Sequence, residues 1–140
     1  MSASAASQLP ARDHLLARLA HAVRQEHVLI PLAFGAVGLH VADDTFLQPE
    51  PGMSVGDHLV SGLIPLLLIA SAALMYGRVC AGSRATLALL VGYFGVLVGT
   101  EAVYYTFAGA PSGDDYTGLL SLFAGFLLLG AGSVTLGRRP

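Results

Sequence analysis

Glu101 carries the sharpest chemical demand in this chain, because its carboxyl lies inside a long apolar run. An ionised group at mid-bilayer costs roughly 2.5–3.5 kcal/mol on insertion scales, less toward the interface, so it normally faces a bundle interior and has a partner. The side chains placed to serve it are His40, His58, Tyr104 and Tyr105, with Asp43, Asp44 and Asp57 in neighbouring stretches. Three chemistries fit this set. The preferred one is structural: a buried network of His58, Glu101, Tyr104 and Tyr105, since a buried carboxyl is tolerated once it has a good donor. The second is a divalent-metal site in which His40, Asp43 or Asp44, Asp57 or His58, and Glu101 supply nitrogen and oxygen ligands. No local His-Glu-x-x-His spacing supports it. The third is a proton-linked or ligand-binding pocket centred on Glu101.

The other acidic residues divide by position. Ser54-x-x-Asp57 and Ser112-x-x-Asp115 have capping-box spacing just before apolar segments, so Asp57 and Asp115 are expected to cap helix ends. Pro111-Ser112-Gly113 reads as a tight turn. Asp43, Asp44 and Asp114 are left with no structural duty and are the better candidates for holding a cation or a partner. Enzyme signatures are absent: there is no Gly-x-Ser-x-Gly elbow, no Walker-type phosphate loop and no dinucleotide fingerprint. Ser61 with His40 is the one serine–histidine pairing that suggests an intramembrane protease, and it lacks the surrounding motif. The chain is therefore expected to be non-enzymatic and to need no cofactor, the metal alternative aside.

The elements that must position these groups follow from composition. Of 140 residues, 54% are hydrophobic and only 11% charged, with a mean hydropathy of +0.68. Soluble domains carry about 25% charged residues, so this chain lacks the solvating groups of one. Four apolar segments are expected to span a membrane, at about 28–42, 58–79, 85–108 and 117–136, packed as an all-helical bundle. The first is short, about 22 Å at 1.5 Å per residue, and calls for help from its flanks. Phe46 and Leu47 are expected to dip back into the interface there, while the prolines and glycines of the connection argue against a regular helix. Residues 1–10 are expected to be disordered, and residues 11–26 to form an amphipathic helix that either lies on the inner surface or, the preferred reading, extends the first span and carries topogenic charge. Pro65 is expected to kink the second span. In the third, Gly92, Gly95, Gly99 and Ala102 share one face, which permits close helix approach. That face serves either packing within the bundle or, through Gly95-x-x-x-Gly99, a homodimer.

Orientation comes from the arginines. Arg12, Arg18 and Arg24 precede the first segment, Arg78 and Arg84 bracket the second connection, and Arg138 and Arg139 follow the fourth. There is no lysine, and the opposite connections hold carboxylates. Basic residues near span ends stay in the cytoplasm, so both termini are expected to be cytoplasmic in a multi-pass protein of the cell membrane. The net charge of −2 gives no encouragement to nucleic-acid binding. Cys80 is the only cysteine, which excludes an internal disulfide or a cysteine-based zinc site.

Several polar stretches carry a family resemblance: His40-Val41-Ala42-Asp43-Asp44, residues 46–52 from Phe46 to Gly52, residues 56–62 from Gly56 to Gly62, Glu101-Ala102-Val103-Tyr104-Tyr105, and residues 111–120 from Pro111 to Leu120. Together they resemble the membrane module that precedes an alpha/beta-hydrolase domain in certain actinobacterial proteins. The likeness covers about residues 27–139. This sequence ends where the hydrolase would begin, so no catalytic residue carries over. The resemblance implies a four-helix anchor or accessory module for a membrane-associated or hydrolase-like partner.

Overall fold

Long runs of leucine, alanine and valine leave the backbone one economical way to satisfy its amides in lipid, which is to turn helical. A computed structural model describes residues 11–48, 54, 56, 59–109 and 115–138, with side chains from residue 26 onward other than that of residue 115. It contains helix α1 (Ala11–Ala42), a π-helical segment (Asp43–Leu47), α2 (Leu59–Tyr76), α3 (Ala81–Phe107) and α4 (Asp115–Gly137). There are no strands among the described residues. Four stretches are long and apolar enough to cross a membrane: Glu26–Leu47, Leu59–Tyr76, Ala81–Phe107 and Tyr116–Gly137. The protein is an all-α, multi-pass four-helix bundle.

The first span corrects the sequence expectation. It does not stop at Ala42: the helix widens into the π segment and runs to Leu47, giving 22 residues and about 33 Å, enough for the ~30 Å hydrocarbon core. The helix also continues backward without a break to Ala11, so residues 11–26 and the first span share one rod. Pro31 and Pro65 sit inside continuous helices. The third span starts at Ala81, about one turn before the expected boundary, because Arg84 is carried within the first turn of α3 rather than before it.

Helices α3 and α4 form the closest pair, antiparallel and nearly touching at the backbone. A Cβ on Gly99 would lie 2.6 Å from the Leu122 nitrogen and 2.7 Å from the Gly118 oxygen. Only hydrogen at that position lets the rods meet so closely, and dispersion across the seam is what holds helices together in lipid. The face Gly92, Gly95, Gly99 and Ala102 is buried against α4. It is consumed inside the bundle, so the expected alternative of a homodimer on Gly95-x-x-x-Gly99 does not hold. Helix α1 lies across this pair, mainly on α4, with Phe34 and Val37 fully enclosed beside Leu128. Helix α2 packs on the far side of α1, through Ile69 and Leu66 over Gly38, and barely touches α3.

The bundle has two chemically distinct ends. At one, α2 finishes, α3 begins and α4 finishes, and Arg78, Arg84 and Arg138 lie there. At the other are His40, the π segment with its aspartates, and the start of α4. Arg12, Arg18 and Arg24 belong to the part of α1 whose side chains lie outside the described set, and Arg139 lies outside the described residues.

Candidate functional site: a buried polar clasp at the carboxylate end

The polar cluster that the structure builds is centred on α1 and α4 rather than on Glu101. In the π segment the Gln48 amide donates to the Asp43 carbonyl at 2.8 Å, a five-residue step that widens the coil. Such bulges occur mostly as single turns and often at functional sites. Its effect here is to send Asp43 and Thr45 inward while Asp44 stays exposed. His40 lies one turn before Asp43, on the same face of the rod. His40 is 4% exposed and Asp43 7%, values that exclude bulk water from both.

Thr117, in the first turn of α4, joins them. Its hydroxyl donates to Asp43 Oδ2 at 2.7 Å. That spends its single proton, so the contact of 3.2 Å between Thr117 Oγ1 and His40 Nδ1 requires the imidazole N–H to be the donor. The proton therefore sits on Nδ1, and Nε2 has no hydrogen-bond partner among the described residues. Gln48 Nε2 donates to the remaining Asp43 oxygen, Oδ1, at 3.1 Å. One turn further along α4, the enclosed Ser121 hydroxyl donates to the Gly95 carbonyl of α3 at 3.2 Å. Two polar side chains of α4 thus tie it to α1 and to α3. Gly118 lets α4 approach: a Cβ there would collide with Ala102 and sit 3.3 Å from His40 Cε1. On the other side of the π segment, Thr45 and Phe46 pack onto Gly62 of α2, where a Cβ would meet the Thr45 side chain.

The order His40–Thr117–Asp43 limits what the cluster can do. In a serine-type triad the imidazole stands between hydroxyl and carboxylate, and takes the hydroxyl proton. Here the hydroxyl stands in the middle and gives its proton to a carboxylate that is already satisfied by Gln48. None of its described contacts activates it as a nucleophile. The arrangement is a clasp between two spans, with an imidazole as its terminal member.

Among the described residues Glu101 has no hydrogen-bond partner, and His58 of the expected network lies outside them. Glu101, Tyr104 and Tyr105 are exposed, and the two tyrosines pack edge-to-face on each other at 5.5 Å. The cause is rotational: with Gly99 and Ala102 turned to α4, the next position round α3 must point away from the bundle. His58 and Asp57 lie outside the described residues, as does the serine of the second capping box. Of the expected metal ligands, His40 and Asp43 come together, Asp44 faces outward, and Glu101 is on another surface. No group of three or more histidine, cysteine or acidic residues is placed to hold an ion among the described residues. Asp43, expected to be without structural duty, accepts hydrogen bonds from both Thr117 and Gln48.

Thr117, Ser121, Thr45 and Gly62 escaped the reading of the sequence. Thr117 and Ser121 are spaced four apart beside Gly118 and Gly125, a signal that one face of α4 is polar, small and buried. A second polar contact lies at the arginine end, where the Tyr76 hydroxyl donates to Glu26 Oε1 at 3.4 Å and its ring meets Phe34 edge-on at 5.7 Å. There, too, Arg84 Nε is enclosed with no hydrogen-bond partner.

The fold and its polar clasp define a helical polytopic membrane protein. Comparison with known protein families, characterised proteins and solved structures gives no match.

Proposed function

We propose that this chain is a non-enzymatic membrane module that anchors or assists a partner protein in the cell membrane, with both termini in the cytoplasm. The observation that carries the reading is the placement of Glu101 on the outside of the bundle, within an apolar span. It is six residues from Phe107, about 9 Å from the end of the helix. Since α3 is about 40 Å long, that position lies near the hydrocarbon boundary. Tyr93, Leu97 and Tyr104 extend the same exposed stripe above and below it. A carboxyl at that depth gains from a donor, and its own chain offers none among the described residues. A second copy in the same orientation has its arginines at the opposite end and contains no lysine. For a guanidinium or ammonium donor the partner is therefore a different protein, which brings that cation to the carboxylate side. The resemblance to modules that precede alpha/beta-hydrolase domains makes a hydrolase-like protein the first to seek.

Site-specific photocrosslinking in cells tests this. A crosslinker at Leu97 should give an adduct with a distinct protein, weakened in Glu101→Lys, whereas one at Phe126 on α4 should give lipid adducts only. Adducts of twice 14.4 kDa, or lipid adducts alone at Leu97, would overturn the proposal. A second reading, a proton-linked binding protein or transporter, is favoured by the clasp, because the His40 imidazole ends a buried hydrogen-bonded chain through Thr117 to Asp43. In liposomes that reading requires a pH gradient to decay faster with the native chain than with His40→Gln, and equal decay removes it.

A further inference from the structure

Between α2 and α3, where the two helices barely touch, a groove of about 660 Å³ opens toward the surroundings at the arginine end. Its walls are mostly apolar: Leu68, Ala72 and Met75 from α2, Leu87 from α3, with Leu136 of α4 closing one side and Ser71 and Thr86 the polar members. Its mouth is polar, formed by Cys80 and Ser83 at the start of α3. Two exposed arginines lie at this end of the bundle without lining the groove: Arg78 stands two residues before Cys80, and Arg138 two after Leu136. Arg78 spends one Nη1 donor on the Leu74 carbonyl, which keeps its guanidinium at the end of α2 with further N–H groups to offer. The volume falls in the ~300–1,000 Å³ range of small-molecule sites.

In a bilayer this groove has one natural class of occupant. Apolar walls at hydrocarbon depth do not hold water, and an empty groove forfeits dispersion along its whole lining. A hydrocarbon chain fills it without either cost. Basic pockets between spans bind anionic lipid headgroups. We propose that the α2–α3 groove is a site for an anionic phospholipid, with an acyl chain between Leu68 and Leu87 and the phosphate at the Cys80–Ser83 mouth, between Arg78 and Arg138. This is independent of the partner face on α3, which uses Glu101 at the other end of the molecule.

Cys80 supplies the assay, because it is the only cysteine, is exposed, and lines the mouth. The full chain in mild detergent is labelled with a maleimide while phosphatidylglycerol, phosphatidylcholine of the same chains, or glycerol phosphate is added. Phosphatidylglycerol should protect Cys80 at about 30-fold lower mole fraction than phosphatidylcholine, the preference that two arginines confer at an anionic surface. The pair Arg78→Gln with Arg138→Gln, both exposed positions, should equalise the two lipids. Ser71→Trp, an exposed position on the groove wall, should remove protection by either lipid while leaving the thermal midpoint without lipid unchanged. Equal protection by both lipids in the native chain overturns the proposal, as does protection by phosphatidylglycerol that survives the arginine pair. Protection by glycerol phosphate alone overturns the acyl-chain half, since it needs only the phosphate. Should Ser71→Trp misfold, the arginine pair and the lipid comparison decide the matter.

Discussion

Substituting Gly99 with alanine adds one methyl group to the tightest point of the α3–α4 seam, and the structure fixes its consequence. The new Cβ would stand 2.6 Å from the Leu122 nitrogen, 2.7 Å from the Gly118 oxygen and 2.7 Å from Leu122 Cβ. Two of these three neighbours are backbone atoms, which cannot swing aside as a side-chain tip can. Ordinary contact begins near 3.4 Å, so the helices must separate by about 0.8 Å at that level. A gap of 0.5–1 Å forfeits about a quarter to a half of each dispersion well along the seam. Overpacking of this kind costs about 1–3 kcal/mol, against a gain of at most about 1 kcal/mol from the better helix propensity of alanine. The expected net loss for Gly99→Ala is therefore about 1–2 kcal/mol. Gly130→Ala is the matched control, because nothing lies within 4 Å of a Cβ there and the residue is exposed on the same partner helix. It should be neutral or slightly stabilising. The measurement is reversible unfolding in mixed micelles titrated with sodium dodecyl sulfate, followed by circular dichroism and by fluorescence of a label on Cys80. If both variants unfold at the same detergent fraction, close backbone approach is not what holds α3 to α4.

Three further outcomes follow from the same coordinates. A double-mutant cycle on Asp43→Ala and Thr117→Val should show a coupling of about 0.6–1.7 kcal/mol, the range of interhelical hydrogen bonds in membrane proteins, and strict additivity in the same unfolding assay would dissolve the clasp. Gly62→Ala should destabilise by about 1–2 kcal/mol through collision with Thr45, and adding Thr45→Ala should restore part of the loss, because the colliding Cγ2 goes while the Cβ at 2.9 Å stays. A double variant as unstable as the sum of its parts would refute that account. Tyr76→Phe should cost no more than about 0.5 kcal/mol, since the hydroxyl's bond to Glu26 is long at 3.4 Å and the ring contact with Phe34 survives; a larger loss by thermal unfolding would mean the hydroxyl matters more than its geometry implies.

The spans were legible because burial in lipid makes a crude demand, a run of apolar residues of sufficient length, and leucine-rich stretches such as 63–69 meet it openly. The glycine face of α3 was legible for a related reason: small residues at four-residue spacing have one physical use between helices in lipid. What the sequence hid was rotation and widening. A carboxyl inside a span looks as if it must point inward, yet α3 can turn only one face to α4, and glycines outcompete Glu101 for it. The π segment was equally hidden, since no residue type enforces an extra residue in a turn. Asp43-Asp44-Thr45 read as an acidic loop until the wider coil turned alternate members inward. His40 and Asp43 were named together, but as metal ligands. The missing piece was Thr117, seventy-four residues beyond Asp43, whose hydroxyl donates to the Asp43 carboxylate.

The distribution of packing suggests which part of the bundle can yield. Helices α3 and α4 meet backbone to backbone, and α1 is locked to α4 by the His40–Thr117–Asp43 chain and by the enclosed Phe34 and Val37. Helix α2 is tied less closely, by the long Tyr76–Glu26 hydrogen bond and the Phe34–Tyr76 ring contact. It leans on α1 through Ile69, Ala72 and Tyr76, is pinned at one end by Thr45 and Phe46 over Gly62, and leaves α3 almost untouched. Segments with few packed contacts open at the lowest free energy. At 18 residues, about 27 Å, α2 is also the shortest span among the described residues, so a thicker bilayer strains it first. A response to membrane composition would therefore begin as movement of α2 against a fixed α1–α3–α4 unit. The Gly62 contact would be the pivot, and the α2–α3 groove would be the space that widens or closes.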